Sequence, residues 1–105
     1  MKNILKSDFN RNKIFKGKKI VLCHGVFDLL HLGHINYFKS AKKYGDVLVV
    51  SVTNSKFVNK GPGRPVFNLK QRIQFLSEIK CIDYICVSDD YDAVKVINKL
   101  KPHFY

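Results

Sequence analysis

Apolar positions along this chain follow two rhythms. Residues 19–23 (KIVLC), 46–52 (DVLVVSV) and 81–87 (CIDYICV) are apolar at most places. Runs of that length predict strands of a parallel sheet covered on both faces. Between them the spacing changes to threes and fours. Ile35, Phe38 and Ala41 recur with Lys39, Lys42 and Lys43 on the opposite side, which predicts an amphipathic helix over 35–44 ended by Tyr44 and Gly45. Leu69, Ile73, Leu76 and Ile79 mark a second helix, with Asn68 in the N-cap place and Gln71 three residues on. Ala93, Val94, Ile97 and Leu100 mark a third, capped from within 88–90 and stopped by Pro102, after which 103–105 would begin another strand. Strand, helix and strand in this order make βαβ units, whose ligands bind beyond the carboxyl ends of the strands.

The stretch 21–34, VLCHGVFDLLHLGH, sits at that edge. It runs from the first strand through Gly25, Val26, Phe27 and Asp28 to His31 and His34, which flank Gly33 immediately before a helix. A helix start offers unpaired backbone N–H groups and the positive end of the helix dipole, an anion site. Two imidazoles at its mouth add donors able to carry charge near neutral pH. Residues 53–67 lack periodicity and hold Gly61, Pro62, Gly63 and Pro65, so they read as a long loop, a length usual for functional or disordered segments. Lys56, Lys60 and Arg64 make this loop basic, and Arg72 in the first turns of the next helix is expected to face the same edge. Plainer readings stand beside each of these. HLGH could serve as a helix cap, Gly33 as a packing glycine, Lys56, Arg64 and Arg72 as solvated charge, and His24 and His103 as structural histidines.

A length of 105 residues points to one domain, and 46% apolar content to a globular core. No apolar run approaches the roughly 20 residues of a membrane span. The first 19 residues are too polar for a signal peptide, which argues against export. Cys23, Cys81 and Cys86 have no C-x-x-C spacing and read as buried, reduced thiols, the usage of a cytoplasmic protein. The formal charge of +11 invites a nucleic-acid partner, yet more than half of it lies in residues 1–19, outside the motif. That distribution argues against the partner. Residues 1–17 therefore read as a basic arm, whose Ile4, Leu5, Phe9, Ile14 and Phe15 suit packing on the domain or on a neighbouring subunit, and 18–105 as the domain itself.

HGVFDLLHLGH, residues 24–34, resembles the G-x-F-D-x-x-H-x-G-H signature of the cytidylyltransferase-like nucleotidyltransferases. VNKGPGRPVF, residues 58–67, with Arg72, Asp83, Tyr84, Lys101 and Pro102, looks more narrowly like the sugar-phosphate adenylyltransferase branch, to which the ADP-heptose synthases belong. Leu29 stands where other adenylyltransferases of the superfamily carry proline. The resemblance implies a Rossmann-like, three-layer α/β/α fold with a parallel sheet. It implies transfer of AMP or CMP from ATP or CTP to a phosphorylated sugar or polyol, with Mg2+ accompanying the triphosphate and no metal held by the protein itself. It assigns His31, His34 and Lys60 to catalysis, and Gly25, Val26, Phe27, Asp28, Gly33 and Arg72 to nucleotide binding. Lys56 and Arg64 are placed on phosphate or acceptor, and a homodimer is implied. The family's later strand and its I-S-S-T-like segment have no counterpart here, so the domain reads as incomplete at its carboxyl end. A non-catalytic nucleotide-binding remnant of such an enzyme is the alternative function.

Overall fold

The structure is a computed structural model and describes residues 3–58, 65–90 and 92–105. Its sheet consists of β1 (Asn3–Ile4), β2 (Ile20–Gly25), β3 (Val47–Thr53) and β4 (Tyr84–Ser88), all parallel, in the order β1-β4-β3-β2. β3, the longest strand, lies between β4 and β2 and is buried at every position. That is why its sequence, VLVVSVT, hardly alternates.

Helices cover both faces. α2 (Leu32–Lys42) and α3 (Leu69–Ser77) bury Phe38 and Leu76 against Val21, Cys23, Leu48, Val50, Val52 and Ile85. On the opposite face α1 (Arg11–Phe15) and α4 (Val94–Leu100) bury Phe15 and Leu100 against Ile20, Leu22, Val47, Val49 and Cys86. This is the three-layer parallel fold expected from the apolar runs.

The boundaries differ from the expected ones for identifiable reasons. α2 begins at Leu32 rather than at 35, because His31 caps it. β4 begins at Tyr84 rather than at 81: Asp83, just ahead of it, accepts the Leu48 amide at 2.8 Å and the Lys42 ammonium, fixing the turn instead of extending the strand. α3 is capped as expected, Asn68 and Gln71 each accepting the other's backbone N–H at 2.9 and 3.0 Å. The cap expected for α4 from 88–90 is absent. Its first amide, that of Val94, donates instead to Asp92 Oδ1 at 3.0 Å. Within the expected long loop, Ser55–Phe57 forms one 3₁₀ turn.

The arm packs on the domain, one of the two places expected for it, and also adds β1 to the edge of the sheet and Phe15 to the core. Arg11 donates to the carbonyls of Leu100 and Lys101, tying the arm to the end of α4. At the other sheet edge Phe104 bridges to Val21, and the ring of His103 accepts the Ile20 amide at 2.9 Å, the structural role read for it. The three cysteines are unbonded. Burial pushes the Cys23 thiol above its ordinary range and that of Cys86 up to about 11. Among the described residues no helix is long and apolar enough to cross a membrane.

Candidate functional site

β2 ends at Gly25, and α2 begins seven residues later at the same edge of the sheet. His31 is the N-cap of α2, in extended conformation, and its Nδ1 accepts the Gly33 amide at 3.0 Å. His34 reaches back, its Nδ1 accepting the His31 amide at 3.3 Å. Such reciprocal caps are ordinarily made by a hydroxyl or carboxamide and a carboxylate. Here two imidazoles make it, with ring centroids 4.2 Å apart.

A ring nitrogen that accepts a backbone N–H carries no proton, so this network fixes both rings as the Nε2–H tautomer. Each ring then presents one donor, Nε2–H, at the positive end of an 11-residue helix. His34 is held below its ordinary pKa by burial first and by the neighbouring His31 second. Read from the sequence, these imidazoles are able to carry charge near neutral pH. The cap geometry makes them neutral donors instead, and the cap and phosphate-binding readings of HLGH are therefore compatible.

Gly33 is required by the same geometry. A Cβ on it would stand 2.7 Å from Cε1 and 2.9 Å from Nδ1 of His31, whose ring folds back over the helix start. At Gly25 the close approach expected of a nucleotide is made in this structure by Phe27, whose Cζ would lie 2.9 Å from an added Cβ. Phe27 has φ of 52°, a left-handed conformation that costs a bulky residue about 1–3 kcal/mol and is found at functional sites. Its ring is held at 5.2 Å from Phe38 and meets His34 edge-on at 6.0 Å.

Asp28 and Arg72 fasten the turn to the long loop. The Asp28 carboxylate accepts the amides of Val66 and Phe67 at 2.7 and 2.8 Å, fixing the point where the loop returns to α3. Arg72 is neither a surface charge nor a side chain displayed at the edge: it is fully buried. Its guanidinium donates to the carbonyls of Phe67 (3.1 Å), Val26 (2.9 Å) and Thr53 (2.6 Å) and to Ser55 Oγ (2.9 Å). Four of its five N–H donors are thus committed to the protein. Burial lowers its pKa and the charge of Asp28 opposes the shift. The carbonyl of Val26, expected to lie against a nucleotide, is one of its acceptors. Lys56 lies at the edge with its ammonium 5.5 Å over the ring of Phe57. Lys60 and Arg64 lie outside the described residues. Among the described residues no group of three or more His, Cys, Asp or Glu side chains could hold a metal ion.

A parallel sheet with paired imidazoles at a helix start beyond its carboxyl edge defines an α/β domain with a helix N-terminus at the ligand edge of its sheet. The cytidylyltransferase-like family matches residues 22–105, and the chain belongs to it. It is 43% identical over 89 residues to the bifunctional protein HldE of Geobacter metallireducens, and 37% identical over 89 residues to that of Aliarcobacter butzleri. Those matches cover 83% of this chain but only 18% and 19% of the two relatives, so the chain spans under a fifth of their length. Among solved structures, a lipopolysaccharide core biosynthesis protein from Thermoplasma volcanium superimposes with a TM-score of 0.74 at 38% identity, covering 82% of this chain and 70% of that one.

Proposed function

We propose that this domain catalyses nucleotidyl transfer: a phosphate oxygen of a phosphorylated sugar or polyol attacks the α-phosphorus of ATP or CTP, and pyrophosphate leaves. The nucleophile is already an anion at neutral pH, so no general base is needed. What the site must supply is alignment of two polyanions and stabilisation of charge on the transferred and leaving phosphates. The reciprocal imidazole cap carries this reading. It leaves two neutral Nε2–H donors at the positive end of α2 without placing a permanent cation there.

Lys60, with Lys56, would bring positive charge from the loop, a role resting on the resemblance of VNKGPGRPVF to the sugar-phosphate adenylyltransferases. Arg72 and Asp28 act on this reading as positioning residues that hold the turn and the loop together. Mg2+ would arrive on the triphosphate, held by phosphate oxygens and water. The adenylyl form and a sugar-phosphate acceptor are preferred because VNKGPGRPVF resembles the sugar-phosphate adenylyltransferases. A cytoplasmic homodimer belongs to the same reading.

Titration calorimetry with ATP and with CTP in magnesium, followed by a pyrophosphate-release assay with sugar and polyol phosphates, tests it. Binding of one nucleotide that His34→Ala abolishes, with pyrophosphate release on adding acceptor, is the expected outcome. Nucleotide binding without release under any acceptor would make the domain a non-catalytic binder.

A further inference from the structure

Residues far apart in the sequence meet at the amino edge of the sheet, the end opposite the imidazole cap. Because the strands run parallel, whatever leads into a strand lies at that edge. Lys18 and Lys19 lead into β2, Lys43 and Tyr44 into β3, and Lys101 into His103 and Phe104, which run beside Ile20 and Leu22. Direct contacts hold these pieces together. The Lys19 carbonyl accepts the amides of Asp46 and Val47 at 2.9 and 3.1 Å, the Ile20 carbonyl accepts that of His103 at 2.9 Å, and the rings of Tyr44 and Phe104 lie 5.7 Å apart. Placed along the sequence, the charge of residues 1–19 stands apart from the motif, which argues against a nucleic-acid partner. Folded, Lys16, Lys18 and Lys19 from that leader share one edge with Lys43 and Lys101, and all five are exposed.

Between these lysines the edge is aromatic. Tyr37, Tyr44, Phe104 and Tyr105 are 50, 64, 42 and 72% exposed, and among the described residues only Phe75 joins them as an exposed aromatic ring of this kind. The four wall a groove of about 310 Å³ whose floor includes Val21 and Cys23. The exposed aliphatic side chains stand elsewhere: Leu29, Leu32, Val66 and Val94 lie in segments that follow the carboxyl ends of strands. A surface made to enter a lipid headgroup layer would set its lysines beside aliphatic side chains. This one sets them beside ring faces. Asp46 is the acid placed among them, and its Oδ2 accepts the Lys19 amide at 2.8 Å.

We propose that this lysine-rimmed aromatic edge binds single-stranded nucleic acid, the ammonium groups taking backbone phosphates and the rings of Tyr44, Phe104 and Tyr105 stacking on unpaired bases. A single strand answers both features at once. Its phosphates repeat along the chain at the rim, and its bases offer the faces that a duplex keeps stacked on one another. The edge lies at the other end of the strands from the α2 cap, so it is separate from the nucleotide site and does not depend on nucleotidyl transfer.

The test titrates the full chain with a labelled single-stranded oligouridine, a duplex RNA of the same length and vesicles of phosphatidylglycerol. The single strand is expected to bind more tightly than the duplex, its log affinity falling against log salt with a slope of about −3.5, as five phosphate contacts on a single strand require. Tyr44→Ala and Phe104→Ala should each lower that affinity about tenfold at an unchanged salt slope. Both side chains are exposed, and Phe104 bonds β2 through its backbone, so both variants should fold. Lys19→Gln with Lys43→Gln should flatten the slope by about 1.4. Lys70→Gln with Lys95→Gln, which removes the same charge at the starts of α3 and α4, should leave the slope as it is. ATP with magnesium should not displace the oligonucleotide. Equal effects of the two lysine pairs would reduce the binding to net charge and overturn the proposal, as would an affinity that both ring substitutions leave unchanged. Displacement by ATP, which would put the strand at the α2 cap, overturns it too, and so does binding to the vesicles without binding to the oligouridine, which would make the edge a lipid surface.

Discussion

The imidazole of His31 lies over Gly33, its Nδ1 3.0 Å from the Gly33 nitrogen and in the space where any side chain at that position would begin. Gly33→Ala should therefore act through His31. Alanine favours a helix start as well as glycine does, so the free energy of unfolding should fall by no more than the loss of a cap, about 1 kcal/mol. The His31 ring must swing off the helix, and nucleotide affinity should drop about tenfold or more. An unchanged affinity measured by calorimetry would separate His31 from nucleotide binding.

His34 combines two jobs on two nitrogens, and substitutions can separate them. Asparagine reproduces the Nδ1 acceptor toward the His31 amide but lacks the Nε2–H donor; glutamine places a donor near Nε2 but loses the cap. His34→Asn should retain stability in urea and lose nucleotide binding. His34→Gln should lose about 1 kcal/mol of stability and retain more of the binding. Paired denaturation and calorimetry on the two variants give the answer.

Arg72 bridges the motif turn, the end of β3 and the loop return from one buried position. Arg72→Met strands two or more buried acceptors and should cost about 3 kcal/mol or more, read as a shifted urea midpoint. Arg72→Lys, whose single ammonium cannot span the same carbonyls, should recover only part of that. An exposed arginine in this place would have tolerated either change.

Acid should loosen this fold through its histidines. His24 and His34 both have pKa values lowered by burial, so folding favours their neutral forms. Their contribution is fully present above the unfolded value near 6.5 and is lost as pH falls through the lower folded values. Thermal stability of the parent chain should decline on acidification below about pH 6.5, and the decline should be shallower in His34→Asn. An equal slope in the two proteins would count against titration of His34 as a cause.

The strands and helices were legible because each carries its own period: the buried run 46–52 is β3 within a residue, and Asn68 with Gln71 caps α3 where the pattern placed it. The start of α2 was not, because histidine is a rare cap and nothing in the spacing of Leu32 and Gly33 distinguishes helix from turn. Arg72 was read as an edge group because sequence shows charge but not which carbonyls a guanidinium will meet. Those of Val26, Thr53 and Phe67 are 46, 19 and 5 residues away along the chain. His24, read as structural, meets its partner Ser51 only through strand register, which spacing along the chain does not show.

The short strand at Asn3–Ile4 has a consequence for how the chain acquires its shape. It is the first element of the sequence and pairs with Tyr84 and Ile85, while Ile20 is paired with His103 and Phe104. Sheet pairings of such long sequence separation close late and slowly, since most of the loop-closure entropy must be lost before they form. On a ribosome the amino-terminal strand must wait, unpaired, until β4 has emerged. A nascent chain of this protein should thus gain protease resistance in a single late step, once β4 and residues 103 and 104 have emerged, and not strand by strand.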